Sequence, residues 1–356
     1  MDRFHECFGD VPDPRADNAQ HELVEIIFIA LLAVLSGAKD CCGMAEFGLA
    51  RENALRSILT LEYGIPSHDT FSRVFRMLDP KAFDAAFRRF MAAFAAGAKG
   101  VVAIDGKALR RAYERGQAHM PRVMVTAWGA KTRMTLGSVL APGNNEAEGA
   151  LQLINLLQLK GCVVTTDALH CHRNMAAAIV AQGGDYALTV KNNRSALFRE
   201  AKQAVALSAK TAKKSETAGK QHGREERRTA VVVPSGAIAI TRDFPGLKAI
   251  GCVTSQRDKE EPVVRYFLLS KRFEPERLLE IVRTHWTIEN SLHWVLDVAL
   301  DEDLARTRKD NGPANLAVLR RGALDTASPH PDTKTPLRRK LQRAGCDENF
   351  LFELIR

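Results

Sequence analysis

The chain has 356 residues, 46% hydrophobic and 26% charged, which is enough to bury one large core or two ordinary ones without disulfide staples. That mix excludes a disordered tail protein, a collagen and a disulfide miniprotein, and the longest apolar run, at 26–35, is far short of the roughly 20 residues a membrane-spanning helix needs. The net charge of +9 is uneven, with an acidic excess over residues 1–99 and a basic excess beyond, gathered at 202–228 and 306–343; such blocks suit a polyanionic partner, because each phosphate neutralised releases counterions.

The chain opens Met1-Asp2-Arg3-Phe4-His5-Glu6, without the basic start of a signal peptide, and its odd count of seven cysteines includes no C-x-x-C. A cytoplasmic protein with reduced thiols is expected. Residues 20–99 read as helical: apolar positions recur three and four apart at 26–35, 47–61 and 70–78, with Gly64-Ile65-Pro66-Ser67 breaking the last two. Helix, Gly-containing turn and helix, with Arg73 and Arg76 on the second, are compatible with a helix-turn-helix DNA reader or with an ordinary helical hairpin.

From residue 100 the texture changes. Short apolar runs at 101–104, 123–128, 134–140, 162–166 and 186–190 predict strands, with helices at 146–157 and 174–182 between the later ones. A hairpin-linked trio followed by alternating helices and strands predicts an α/β mixed sheet with helices packed on it. Residues 191–273 interrupt the pattern with a Lys-rich linker and then strands at 230–233, 237–241, 249–254 and 263–269, read as a β-rich insertion; helical periodicity returns over 274–300. His170-Cys171-His172 lacks a second ligand pair at zinc spacing, so no zinc centre is expected there.

Two acids stand at the same kind of place: Asp105 follows the strand at 101–104 and Asp167 the strand at 162–166. If those strands are neighbours, their ends bring two carboxylates side by side, which is costly unless a cation bridges them. Hard oxygen ligands suit Mg²⁺ or Mn²⁺, and a third carboxylate from a helix would complete a two-metal site. Glu289 offers one, in His285-Trp286-Thr287-Ile288-Glu289-Asn290-Ser291-Leu292-His293-Trp294, where two of the chain's three tryptophans flank it. Asp297, Asp301, Glu302 and Asp303 are rival carboxylates that spacing alone leaves open.

Asp13-Pro14-Arg15, Gly64-Ile65-Pro66-Ser67-His68-Asp69-Thr70-Phe71-Ser72-Arg73-Val74-Phe75, Ala103-Ile104-Asp105-Gly106-Lys107 and the segment from His285 through Val298 together resemble the H-repeat-associated insertion-sequence transposases, of the DDE superfamily. The resemblance runs over about residues 8–356. It implies an RNase H-like catalytic domain at 100–356, carrying the β-rich insertion at about 191–273, behind an N-terminal helical DNA-binding or associated domain at 1–99. It implies Asp105, Asp167 and Glu289 as ligands of Mg²⁺ or Mn²⁺, two ions in all. The activity implied is nicking at the element's ends and transfer of the 3′-hydroxyl into target DNA, with terminal inverted repeats and target DNA as partners, a homodimer on DNA, and no membrane association. Lys107 and Arg110, just past the first Asp, stand where a basic side chain could hold a DNA phosphate, and Arg224 in His222-Gly223-Arg224 and Asn145-Glu146 look family-like. The wider class places an Arg four residues before the Glu, where this chain has His285, and a Lys seven after, where it has Leu296. The rival readings are a catalytically silent transposase-derived DNA-binding protein, an RNase H-like nuclease without strand transfer, and a transcriptional repressor.

Overall fold

The computed structural model describes residues 1–92, 99–113, 120–208, 211–221, 224–237, 244–258, 260–332 and 334–355, with the side chains of 221, 224 and 237 left aside. Nine strands make one sheet in the order β3-β2-β1-β4-β5-β9-β8-β7-β6. β1 (Gly100–Ala108), β2 (Val123–Gly129) and β3 (Met134–Leu140) form an antiparallel meander, and β4 (Cys162–Thr166) and β5 (Asp185–Val190) continue it parallel to β1. Two helices, α7 (Glu146–Asn155) and α8 (Arg173–Ala181), supply the crossovers that parallel strands require. All five positions of β4 are buried, the signature of a strand covered on both faces. The mixed α/β sheet flanked by helices is the architecture the sequence predicts.

Among the described residues the insertion builds no separate sheet. β9 (Val263–Leu269) pairs antiparallel with β5, and β8 (Ala249–Arg257), β7 (Arg224–Pro234) and β6 (Lys214–Gln221) follow, so four more strands prolong the central sheet. The stretch read as a Lys-rich linker folds as helix α9 (Ser195–Ser208) and strand β6; Leu197, Ala201, Ala204 and Val205 fall on one helical face and are buried against the sheet. Of the strand expected at 237–241, residue 237 ends a short 3₁₀ turn and 238–241 lie outside the described residues.

Side-chain alternation decides which residues reach which layer. Val102, Ile104, Val164 and Leu188 point toward α7, α8 and α9, while Val101, Val163, Ala187 and Phe267 pack with helix α10 (Pro275–His285) on the opposite face. A third cluster joins the N-terminal helices α1 (Asp2–Phe8), α2 (Leu23–Leu35), α3 (Cys41–Ala50), α4 (Glu52–Arg56), α5 (His68–Met77) and α6 (Pro80–Ala92) to α11 (Trp294–Leu300) and the C-terminal helices α12 (Gly312–Ala327), α13 (Leu337–Cys346) and α14 (Glu348–Leu354). Every residue of α2 except Glu25 is buried, and all of α12 is, so both lie at the centre of a helical layer rather than on its surface. The beginning and end of the chain therefore share one core.

Two expectations are corrected here. Eleven residues, 57–67, separate α4 from α5, against the three or four of a helix-turn-helix turn, and the buried face of α5 (Phe71, Val74, Phe75) belongs to the shared core. The basic stretch at 306–343 is only partly a surface: Arg320, Arg321 and Lys340 are buried. Among the described residues no helix is long and apolar enough to cross a membrane.

Candidate active site

The odd-numbered residues of β1, β4 and β5 lie on the sheet face that α10 packs against, and at the C-terminal end of each strand that face turns from apolar to ionisable. On β1 the series Val101, Ala103 continues to Asp105 and Lys107; after β4, Val163 and Thr165 lead to Asp167; after β5, Ala187 and Thr189 lead to Lys191. Ile104 is the register partner of Thr166, so Asp105 and Asp167 occupy the next positions on neighbouring strands, whose axes lie about 4.8 Å apart. Asp105 is inside its strand rather than after it: parallel pairing with β4 ends at Ile104, but antiparallel pairing with β2 runs on from Asp105–Thr126 to Ala108–Val123.

The third acid comes from above the sheet. Between α10 and α11 the helix widens into a single π turn, Glu289–His293; such turns occur mostly as one-turn insertions and often at functional sites. Asp105, Asp167 and Glu289 line one cavity of about 230 Å³, together with Thr165, Thr189, Lys191, Arg265, His285 and Trp286. The carboxylates are thus gathered from positions distant in sequence by the register of two strands and one widened helical turn.

Their electrostatics differ. Burial and the adjacent Glu289 push the Asp105 carboxyl up to about 8, whereas the His293 imidazole beside Glu289 holds that carboxyl down at about 2. Two crowded acids sharing a proton are what a divalent cation would relieve, so these donors fit one. Asp167 is half-exposed and paired: Lys191 Nζ donates to its two oxygens at 2.9 and 3.3 Å. Burial works to raise Asp167, but Lys191 outweighs it and holds the carboxyl below the usual range. His285 Nδ1 lies 2.9 Å from Thr165 Oγ1, and burial pushes its pKa down, which favours a neutral ring. Arg265 stands over the exposed Trp286 ring, 5.8 Å from its centroid, at the cavity rim.

The rival carboxylates are engaged elsewhere. Lys107, 7% exposed, reaches Asp297 and Asp303 at 2.7 Å each, with Glu302 at 3.8 Å. Glu302 in turn bonds the buried Arg321 at 2.8 Å, and Arg321 donates to Thr126 on β2 at 3.0 Å. Asp301 turns the chain at φ 49° and pairs with Lys39. Lys107 is therefore a strut between β1 and the segment after the π turn rather than a phosphate contact, because its ammonium is enclosed by acids. Arg110 is exposed but paired with Asp303 at 3.0 Å, Arg76 pairs with Asp310 at 2.7 Å, and Arg73 is exposed on α5. Arg224 begins β7; its side chain, with His222 and Gly223, lies outside the described residues.

Two residues of the site had no assigned role in the sequence reading. Lys191 occupies the end of β5 as Asp167 follows β4, a parity that the strand prediction contained. His293 stands four residues after Glu289, one helical turn on. Glu146, at the start of α7, packs against Gly106 and lies 2.9 Å from Nε2 of the buried His170. His172 caps α8 through the Met175 amide, so His170 and His172 are committed to different partners.

A family model described as "Transposase DDE domain" matches residues 96–324, and one described as "DDE_Tnp_1-associated" matches residues 5–91. The chain belongs to the transposase DDE-domain family. Two Escherichia coli (strain K12) relatives of this DDE-family chain, "Putative protein YbfL" and "H repeat-associated putative transposase YhhI", are each 31% identical to it over 100% of this chain and 98% of their own. A solved piggyBac transposase synaptic complex with hairpin DNA aligns with 99% of this chain and 77% of that chain, at TM-score 0.46 and 12% identity.

Proposed function

We propose that this DDE-family chain is the DNA transposase of an insertion sequence, which nicks the ends of its element and joins the freed 3′-hydroxyl to target DNA. Asp105, Asp167 and Glu289 would hold Mg²⁺ or Mn²⁺, two ions when DNA is bound. The observation behind this reading is the convergence of three carboxylates, 62 and 122 positions apart along the chain, on one cavity at the ends of two parallel strands. Bound there, the ions would supply activation of the attacking oxygen and stabilisation of the leaving oxygen in an in-line displacement.

The remaining residues have roles set by their chemistry. Lys191, largely exposed and paired with Asp167, is placed to meet a DNA phosphate once that acid takes a metal. His285, kept neutral by burial, orients through Thr165 and adds no competing charge beside the acids. Arg265 and Trp286 offer charge and a ring face at the rim to a strand entering the cavity. Lys39, Arg76, Arg306, Arg308 and Lys309 line a separate groove of about 740 Å³ between the N-terminal helices and the 304–309 segment, a second stretch for the duplex backbone. Two ends cut together require two such sites, so a homodimer is expected on DNA, in the cytoplasm.

A supercoiled plasmid carrying the element's two ends, incubated with the protein and Mg²⁺, tests the reading. Nicked or linear DNA together with joined strand-transfer products is the expected result. Cleavage without joining would reduce the protein to a nuclease, and tight binding without cleavage to a silent DNA-binding descendant.

A further inference from the structure

We infer that His293 is itself a metal ligand, so that Asp105, Glu289 and His293 form a mixed nitrogen–oxygen site favouring first-row transition dications of the Mn²⁺ class over Mg²⁺. The inference deepens the reading above and rests on its assignment of Asp105 and Glu289 as ligands.

Three observations carry it. His293 Nδ1 lies 3.6 Å from Asp105 Oδ2 and 3.5 Å from Glu289 Oε2. These are wide for hydrogen bonds but close to the separation of neighbouring donors around one ion, about 3 Å when metal–ligand bonds are about 2.1 Å. A donor atom from each of the three residues lies within 4.8 Å of the other two, the one such trio of His, Cys, Asp or Glu found among the described residues. Finally, the His293 side chain is 8% exposed and aims its Nδ1 between the two carboxylates. Two crowded carboxylates facing one buried ring nitrogen are what an ion bound by all three would relieve.

The π turn is what assembles the trio. Glu289 and His293 bound it, and both face β1 at Asp105. The donor set then dictates the preference. Mg²⁺ takes hard oxygen ligands and parts reluctantly with its waters, whereas imidazole nitrogen suits the transition ions. Asp167, across the cavity under Lys191, remains an all-oxygen position for the second ion.

The test uses Mn²⁺ with the full chain in the absence of DNA. Pulsed electron paramagnetic resonance of bound Mn²⁺ is expected to show coupling to a directly ligated ¹⁴N, and calorimetry is expected to give Mn²⁺ a roughly tenfold or greater advantage over Mg²⁺. His293→Asn keeps an amide where Nδ1 stands but is a poor ligand; it is expected to abolish the nitrogen coupling and weaken Mn²⁺ by about ten- to a hundredfold. His293→Asp replaces nitrogen by oxygen and is expected to shift the preference toward Mg²⁺. Bound Mn²⁺ without nitrogen coupling in the wild type, no Mn²⁺ binding, or unchanged Mn²⁺ affinity in a folded His293→Asn would each overturn the inference. The wild-type spectrum decides even if the variants fail to fold. Nitrogen-ligated Mn²⁺ in a protein that cuts no end-bearing plasmid would sink the transposase reading and leave the site, while cutting with an all-oxygen Mn²⁺ would do the reverse.

Discussion

Asp105→Asn and Glu289→Gln are each expected to lower metal-dependent nicking of end-bearing DNA by roughly a thousandfold or more, since removing a metal ligand forfeits several kcal/mol of transition-state stabilisation and each 1.36 kcal/mol is a factor of ten. Both substitutions conserve volume, so the fold has no packing reason to suffer. DNA affinity is expected to hold or rise slightly, because a carboxylate facing a polyanion repels it; a gel-shift titration beside the nicking assay separates the two effects. Stability adds a sign. Asp105 is raised to about 8 in the folded chain, so it binds its proton more tightly than in the unfolded one. Its contribution is fully present below the ordinary carboxylate range and is lost as pH rises toward 8. Metal-free wild type is therefore expected to lose melting temperature over that interval, and Asp105→Asn to lack that component. Full nicking in either variant would remove that acid from the site.

Lys107→Met is expected to cost about 3–5 kcal/mol of stability, the usual result of taking one partner from a buried ion cluster. Asp297, Asp303 and Glu302 surround one ammonium, and without it Arg321 on Glu302 and Arg110 on Asp303 are two cations against three carboxylates. The loss has a functional face, because this strut ties β1 one residue pair beyond Asp105 to the helix that presents Glu289 and His293. Urea melts of the folded variant would show the stability change. Mn²⁺ affinity should fall as well, since the π turn is no longer held against the strand. A melt indistinguishable from wild type would mean that the lysine is replaceable by water, against its 7% exposure.

Much of this was legible in the chain. The strands leading to Asp105 and Asp167 are legible as apolar runs ending in an acid, but their adjacency is only a condition of that reading, met by the parallel pairing of β1 with β4. Glu289 stood out by the density of Trp and His around it. Less visible was anything set by tertiary pairing. Asp105 lies within a strand because β2 pairs further along β1 than β4 does. The basic residues past Asp105 and at 306–343 read as a surface, but Lys107 is enclosed by acids nearly 200 positions away and Arg321 is buried within α12 against Glu302, which local charge counts do not register. The π turn left no periodicity signal, since one extra residue in a helix of ordinary composition is invisible. Helix α9 did leave one, but the lysines around it made the segment look like a linker.

The central claim is that the cavity among Asp105, Asp167 and Glu289 binds the divalent ions that cut DNA. Anomalous diffraction from crystals of the protein with end-sequence DNA and Mn²⁺ tests it most directly. Two anomalous peaks are expected in that cavity, one touching Asp105 and Glu289 and a second at Asp167 with Lys191 displaced. Ordered DNA with no peak among those three carboxylates, or with manganese bound only elsewhere, would contradict it.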